Sequence, residues 1–432
     1  MNQELVIIEK LVVGGKGLAR LANGLVVLVP FVIPGEKVRV RLGEKKKSFQ
    51  HGLVEEVVEP SPDRVTPPCP YFGRCGGCQL QHIDQKRQDV LKKDIFCDGF
   101  RRAGLHFNEE AIHYLSSPRR LGYRQRIRLH VQDGELGFFQ QGSHRLLEID
   151  ECLLARPEIN ALLQELDRAD PWLQVADQVA EVEVHANPDD LSCLLIINMK
   201  RKPRPRDLAS LKELVTTLPG LSSLLVKSVD GTTYTSFPER MGKIRYHLGA
   251  CCRDIEIGLE PGGFCQVNEE QNQQMVDQVL AWLQDEPKGR LLDLFCGVGN
   301  FSLPLTDLGF AVTGIDQQRS AIRSAEKNGK KNNLNCDFRR AAAQDGLEKI
   351  VNEGEMFDYV LLDPPRAGFK EGSALLAKLH ASQIIYVSCD QATLFRDLKA
   401  ICAGGYKISA ITLVDQFCQS HHLESMVLLT PA

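Results

Sequence analysis

The sequence predicts an α/β chain: a doubly wound parallel sheet in the carboxyl-terminal part, preceded by a small β-barrel and a β-rich middle. Three observations predict it. Short β-rich runs punctuated by glycine fill residues 1–58, and strands with turns dominate about 119–258. After about residue 260, apolar strands alternate with helical stretches, the pattern of parallel strands with helices on both faces. The expected domains are residues 1–60, 61–258 and 259–432.

Composition narrows the class. A chain of 432 residues divides into two to four domains at roughly 100–200 residues each. With 43% hydrophobic and 25% charged residues, disordered, collagen-like and coiled-coil readings are out. Leu25 to Ile33 is the longest apolar stretch near the start, is interrupted by Pro30, and falls far short of the ~20 residues of a membrane span. Met1 to Lys10 carries Glu4 and Glu9 and lacks the basic start and apolar run of a signal peptide. A cytoplasmic location, with no membrane association, is therefore expected. The formal net charge of −4 does not announce a nucleic-acid binder. Fourteen cysteines without a signal peptide are expected to be reduced, so closely spaced ones point to metal binding or catalysis.

The first element is OB-like: strands at Leu5–Ile8, Leu25–Val32, Lys37–Leu42 and Gly52–Val58, divided by Gly14-Gly15, Gly17, Asn23-Gly24 and Pro34-Gly35. Residues 1–58 hold nine Lys/Arg against six Asp/Glu, with Lys45-Lys46-Lys47 at an expected hairpin tip. Pro60, Pro62, Pro67, Pro68 and Pro70 then form a linker that excludes helix and central strand. It delivers Cys69-Pro-Tyr-Phe-Gly-Arg-Cys75-Gly-Gly-Cys78, whose thiols suit zinc or an iron–sulfur cube.

Residues 84–103 read as a helix. The middle continues with strands at Arg126–Val131, Leu136–Phe139, Glu181–Val184 and Leu194–Met199. Two stretches there are strongly basic: Arg119 to Arg128, with five arginines and Tyr123, and Lys200 to Arg206, with five basic residues. Each is a candidate phosphate contact or a solvated face.

In the last part, Arg290-Leu-Leu-Asp293-Leu-Phe295-Cys-Gly297-Val-Gly299-Asn300-Phe-Ser302 is an apolar strand breaking into a glycine turn that opens a helix. The glycines permit a tight turn and let a ligand approach the backbone, as in Rossmann-like sites. Ala311 to Asp316 is a second strand, ending in a carboxylate suited to a ribose diol 23 residues after Asp293. Ser302 replaces the third glycine of a nicotinamide motif, and an acid precedes the turn. That combination points to S-adenosylmethionine. Phe357 to Asp363 is a third strand, ending in Asp363-Pro364-Pro365-Arg366, and Gln383 to Ser388 a fourth, ending in Cys389-Asp390. Ile408–Leu413 and Met426–Leu429 close the sheet around His421-His422-Leu423-Glu424. One rim thereby gathers a cofactor turn, an aspartate, a thiol and a glutamate.

Through Gly263-Phe264-Cys265-Gln266-Val267-Asn268, Asp293–Asn300, Asp363–Gly368, Ser388-Cys389-Asp390 and His422-Leu423-Glu424-Ser425-Met426, the chain resembles the RNA uracil-C5 methyltransferases. The resemblance covers essentially the whole chain and is nearest in layout to the branch that acts on large-subunit ribosomal RNA. Three departures from other methyltransferases agree with uracil. Unlike cytosine-C5 enzymes, the chain has no cysteine after the proline of the Asp-Pro-Pro strand. Unlike amino-group enzymes, it has no aromatic residue after the prolines, and its first cysteine gap is five residues, where radical enzymes have three.

The resemblance implies a TRAM domain for the amino-terminal barrel and a [4Fe–4S] cluster on Cys69, Cys75, Cys78 and Cys152. It implies Cys389 as the nucleophile that adds to uracil C6, and Glu424 as the base that removes the C5 proton. S-adenosylmethionine is then the cofactor, lined by Gln266, Phe295, Asn300, Asp316 and Asp363, the last reaching either cofactor or uracil edge. The partner is RNA, ribosomal by preference, with the target uridine flipped out of its stack; no obligate protein partner is implied. The alternatives are a transfer-RNA uracil methyltransferase and a non-catalytic iron–sulfur RNA-binding protein on the same scaffold. The remaining cysteines, Cys97, Cys193, Cys251, Cys252, Cys265, Cys296, Cys336, Cys402 and Cys418, are expected to be packing residues.

Overall fold

Alternating valines and charged residues build the first strands, and they do so in a computed structural model that describes residues 3–239, 243–249 and 253–432. Cys251 and Cys252 lie outside the described residues. The chain forms two units, one of residues 1–109, 139–147 and 417–423, the other of 110–138, 148–416 and 424–432.

The first unit opens with six strands: β1 (Gln3–Ile7), β2 (Lys10–Val12), β3 (Lys16–Arg20), β4 (Val26–Val29), β5 (Lys37–Lys45) and β6 (Phe49–Glu59). They make one sheet in the order β1-β5-β6-β4-β3-β2. Val38 and Val40 point inward from β5 while Arg39 and Arg41 between and beside them point out. The inward side chains pack with Val6, Ile8, Ala19, Val27, Val29 and Val32. Gly52 is required by this packing, because a Cβ there would lie 2.8 Å from Val27 Cγ1. The lysine triplet is exposed at the β5–β6 hairpin tip. Glu36 is fully buried and accepts hydrogen bonds from Arg64 at 2.6 and 2.7 Å and from the Ile33 and Ser61 N–H groups, fastening the proline linker to the sheet. Burial opposes its ionisation, yet Arg64 and the backbone donors hold the carboxyl below the ordinary glutamate range. Helix α1 (Gln85–Arg102) starts at Asp84, whose carboxylate caps the Lys86 N–H at 3.0 Å.

The second unit contains β7 (His113–Leu115), β8 (Arg126–Gln132), all but the last residue of β9 (Glu135–Phe139), β11 (Val179–Ala186), β12 (Cys193–Met199), β13 (Leu221–Ser228) and β14 (Thr233–Phe237), while β10 (Leu146–Glu148) straddles the unit boundary. Strands β9-β8-β11-β12-β13-β14 lie side by side. Helices α2 (Pro157–Leu166), α3 (Asp170–Leu173) and α4 (Pro205–Thr217) cover one face, burying Ile159, Leu162, Trp172, Leu211 and Leu214 against it. Leu194, Ile196 and Leu225, on the opposite face, join the core of the parallel sheet.

The hairpin β15 (Ile244–Gly249) and β16 (Asp254–Leu259) packs into that same core. Then come α5 (Glu269–Leu283), β17 (Arg290–Leu294), α6 (Ser302–Asp307), β18 (Ala311–Asp316), α7 (Arg319–Lys331), β19 (Asp337–Arg340), α8 (Ala343–Glu353), β20 (Tyr359–Leu362), α9 (Lys370–Leu376), β21 (Gln383–Ser388), α10 (Gln391–Ala403), β22 (Tyr406–Val414) and β23 (Glu424–Pro431). The eight-stranded order is β19-β18-β17-β20-β21-β23-β22-β7. Strands β17 to β21 run parallel, and β23 is antiparallel to both of its neighbours. Direction decides the site. Asp293, Asp316, Asp363 and Cys389 all fall at carboxyl ends of parallel strands, and the reversed β23 begins at that same edge with Glu424. Among the described residues no helix is long and apolar enough to cross a membrane.

Candidate active site

The glycine turn after β17 is built from left-handed backbone. Phe295, Gly297 and Gly299 have φ of 63°, 56° and 92°. Open space surrounds the position where Gly297 would carry a Cβ. The Gly297 N–H donates to Asp316 Oδ2 at 3.1 Å and the Gln318 N–H to Asp316 Oδ1 at 2.7 Å, so the acid at the end of β18 is aimed back at the turn. Ser302, which stands where a nicotinamide motif has glycine, donates to Asp293 Oδ2 at 2.5 Å. The other oxygen, Oδ1, is buried without a hydrogen-bond partner among the described residues. Burial, with Asp363 and Asp316 nearby, pushes the Asp293 carboxyl up to about 7 against the Ser302 bond. An orphaned acceptor beside an open glycine turn fits a ligand that brings its own donors and positive charge.

Cys389 and Glu424 are placed by strand register. The β21–β23 ladder ends with Ser388 opposite Ser425, so Cys389 and Glu424 stand one step beyond the last pair. Facing residues of such a ladder have Cα atoms about 4.5–5.5 Å apart. Burial is the largest influence on the Cys389 thiol, followed by Glu424 and Asp363; against Arg366 they push it up to about 12. Glu424 is 3% exposed and held well above the ordinary glutamate range by burial and Asp363, with Arg366 opposing. Burial likewise raises Asp363 to about 7. Crowded buried acids resist ionisation until a cation arrives, and such shifts concentrate at functional sites.

The Asp363–Gly368 loop is held by Asp397, 1% exposed on α10. Its Oδ2 accepts from the Phe369 N–H at 2.6 Å and the Tyr386 hydroxyl at 2.7 Å, and Oδ1 from Arg396 at 2.7 Å. Phe369 in turn meets Phe295 of the glycine turn edge-on, ring centroids 5.3 Å apart. Asp397→Ala leaves buried donors unpaired. It is expected to cost about 1–3 kcal/mol, read as a lowered denaturant midpoint; an unchanged midpoint refutes this role.

Two expected lining residues are engaged by the protein. The Asn300 carboxamide pairs with Asn272 in both directions at 2.9 Å and accepts from Tyr246 at 2.9 Å. Gln266 Oε1 accepts from Gln416 at 3.0 Å. Much of the Arg119–Arg128 stretch is committed internally: Arg119 pairs with Glu270, Arg120 with buried Asp415, and Arg126 and Arg128 with Glu183. In the second stretch Arg201 pairs with Asp207, while Lys202, Arg204 and Arg206 are exposed.

Sequence reasoning did not name Asp293, Arg366 or Asp397 as site residues. The first two stand inside motifs already singled out. The third shows only as an acid on a helix.

Cys69, Cys75 and Cys78 occupy a half-buried loop of turns in the first unit. The Gly77 N–H donates to Cys75 Sγ at 3.4 Å, a contact that suits a thiolate ligand. Cys152, in the second unit, exchanges backbone hydrogen bonds with the Asn160 side chain. Among the described residues no group of three or more His, Cys, Asp or Glu side chains is arranged to hold a metal ion.

A doubly wound sheet with this glycine turn, and with acids on the next strand ends, defines the class as an S-adenosylmethionine-dependent methyltransferase fold. A family model described as tRNA (Uracil-5-)-methyltransferase matches residues 98–432, and the chain belongs to that family of RNA uracil-C5 methyltransferases. It is 34% identical over 420 residues to the 23S rRNA (uracil(1939)-C(5))-methyltransferase RlmD of Pectobacterium atrosepticum, covering 96% of this chain and 90% of the relative. An uncharacterized RNA methyltransferase of Aquifex aeolicus is 34% identical over 426 residues, covering 98% and 97%. Among solved structures, the Pyrococcus abyssi tRNA (uracil-54, C5)-methyltransferase in complex with S-adenosyl-L-homocysteine superposes with a TM-score of 0.75. It shares 24% identity over 99% of this chain and 100% of that one, a likeness of fold.

Proposed function

We propose that this chain methylates C5 of a uridine in large-subunit ribosomal RNA through a covalent adduct on Cys389. The observation that supports the reading is the register that brings Cys389 and Glu424 together at the sheet edge that also carries the glycine turn after β17. Ribosomal RNA is preferred because the RlmD relative, named for 23S rRNA, is one-third identical over nearly the whole chain. The transfer-RNA enzyme shares only the fold.

S-adenosylmethionine would supply the methyl group, its positive charge favouring ionised Asp293 and Asp363. Asp316 and the turn backbone would hold it, with Gln266, Phe295 and Asn300 lining the pocket. The Cys389 thiolate adds to C6, and the C5–C6 π electrons move to the ring as an enolate. C5 then takes the methyl, whose bond to the sulfonium sulfur would break with the pair staying on sulfur, so that S-adenosylhomocysteine leaves. The Glu424 carboxylate removes the C5 proton, C5–C6 unsaturation returns, and the C6–sulfur bond breaks to free Cys389. The uridine must leave its stack to reach this edge. The test uses 5-fluorouridine-substituted ribosomal and transfer RNA with S-adenosylmethionine on a denaturing gel. A retarded band with ribosomal RNA is expected; one with transfer RNA alone moves the substrate, and none with either removes the chemistry.

The same proposal makes the six-stranded sheet a TRAM-type RNA-binding module, with its lysine tip facing backbone phosphate. Domain limits of 1–60, 61–258 and 259–432 and a cytoplasmic location belong to it too. It also keeps Cys69, Cys75, Cys78 and Cys152 as holders of a [4Fe–4S] cluster with a folding and RNA-docking role, since uracil methylation has no net redox step. Anaerobically purified protein is expected to absorb near ~400 nm, and Cys78→Ser to lose that band and stability together. Retention of the band in Cys78→Ser would refute the ligand set.

A further inference from the structure

We infer that Lys92 is a positioning residue for Glu424, acting through the segment that leads into it. The inference rests on the proposed Cys389–Glu424 chemistry. Lys92 lies on α1 and is 1% exposed. Its Nζ donates to the backbone carbonyl oxygens of Phe417 at 3.1 Å and His422 at 3.2 Å. These carbonyls stand at the two ends of a six-residue segment, so one side chain staples it closed.

The stretch preceding and opening α1 adds more bonds to the same segment. Gln88, one turn before Lys92 on the same helix face, donates through Nε2 to Gln419 Oε1 at 3.0 Å. The N–H groups of Gln79 and Leu80 both donate to the Gln419 carbonyl at 3.0 Å. Gln419 itself has φ 65°, a conformation that persists in a side-chain-bearing residue only when its surroundings impose it. The chain then passes through buried Leu423 into Glu424.

An apolar residue could fill position 92 without the cost of burying an ammonium group. The lysine adds direction. Two carbonyl oxygens must converge on one nitrogen, and this fixes where the segment releases the chain. The oriented His422 carbonyl sets the peptide that enters Leu423 and Glu424. Methyl transfer needs Cys389; release of the product needs the Glu424 carboxylate on the C5 proton. A loss of positioning at Glu424 therefore has a signature that general loosening lacks: adduct forms but does not resolve.

The test compares wild type, Lys92→Met and Lys92→Arg on ordinary uridine and 5-fluorouridine ribosomal RNA, with S-adenosylmethionine and denaturing electrophoresis. Lys92→Met is expected to turn over roughly ten- to a hundredfold slower, within the range for an impaired general base. It should trap 5-fluorouridine RNA as wild type does and, unlike wild type, accumulate a covalent complex on ordinary uridine RNA. Lys92→Arg should restore resolution. Parallel loss of trapping and turnover in Lys92→Met, or unchanged turnover, overturns the inference. If Lys92→Met does not fold, Gln88→Leu decides by the same accumulation on ordinary RNA, and its absence overturns the role. No adduct in wild type with 5-fluorouridine RNA would remove the proposed chemistry itself, and this role with it.

Discussion

Cys389→Ala is expected to abolish methylation and covalent trapping together, a loss on the order of 10⁴-fold or more for removal of a nucleophile. The pH dependence of the wild type should carry the same signature. Burial first, then Glu424 and Asp363, place the thiol at about 12 against the pull of Arg366. Attack requires thiolate, and below that value its fraction rises about tenfold per pH unit. Single-turnover adduct formation with 5-fluorouridine RNA should therefore climb between about pH 6 and 9. A pH-independent rate over that range, or a trapped complex in Cys389→Ala, would remove Cys389 from the role.

Glu424→Gln should separate the two halves of the reaction. The isosteric amide cannot accept the C5 proton, so turnover is expected to fall by about 10²–10⁴-fold. Adduct formation survives, and a covalent complex should accumulate on ordinary uridine RNA, which resolves in wild type. Burial and Asp363 raise the Glu424 carboxyl well above its usual range. Once ionised, it is a stronger base than a solvated glutamate, suited to a weakly acidic carbon-bound proton. Complete loss of the adduct in Glu424→Gln would assign this carboxyl to the first half of the reaction.

The rim was legible because its residues sit where sequence changes character. Asp316, Asp363 and Cys389 each follow an apolar run, and α/β chemistry gathers at such ends. Glu424 begins its strand, so local pattern alone gives it no distinction; the resemblance supplied it. Strands β2 and β3 escaped notice because they are short and joined through Gly14-Gly15. β19 escaped because Asp337-Phe-Arg-Arg340 is a charged edge strand paired on one side. The β15–β16 hairpin reads as part of a β-rich middle, yet its apolar residues complete the core of the parallel sheet, a long-range fact. Lys92 looks like a surface lysine because its two carbonyl partners lie 325 and 330 residues downstream.

The reversed strand β23 has one more consequence. Because β21 and β23 are direct ladder neighbours, interstrand hydrogen bonds hold in register the strand ends next to Cys389 and Glu424, leaving the entering 417–422 segment to orient the Glu424 side chain. The two paired strand ends behave as a fixed cartridge. On the proposed chemistry, segments other than 417–422 that choose the RNA can be lengthened, shortened or exchanged around it without retiming the reaction. A chimaera carrying foreign recognition loops on this sheet should keep its bond-making ability while changing which transcript it marks.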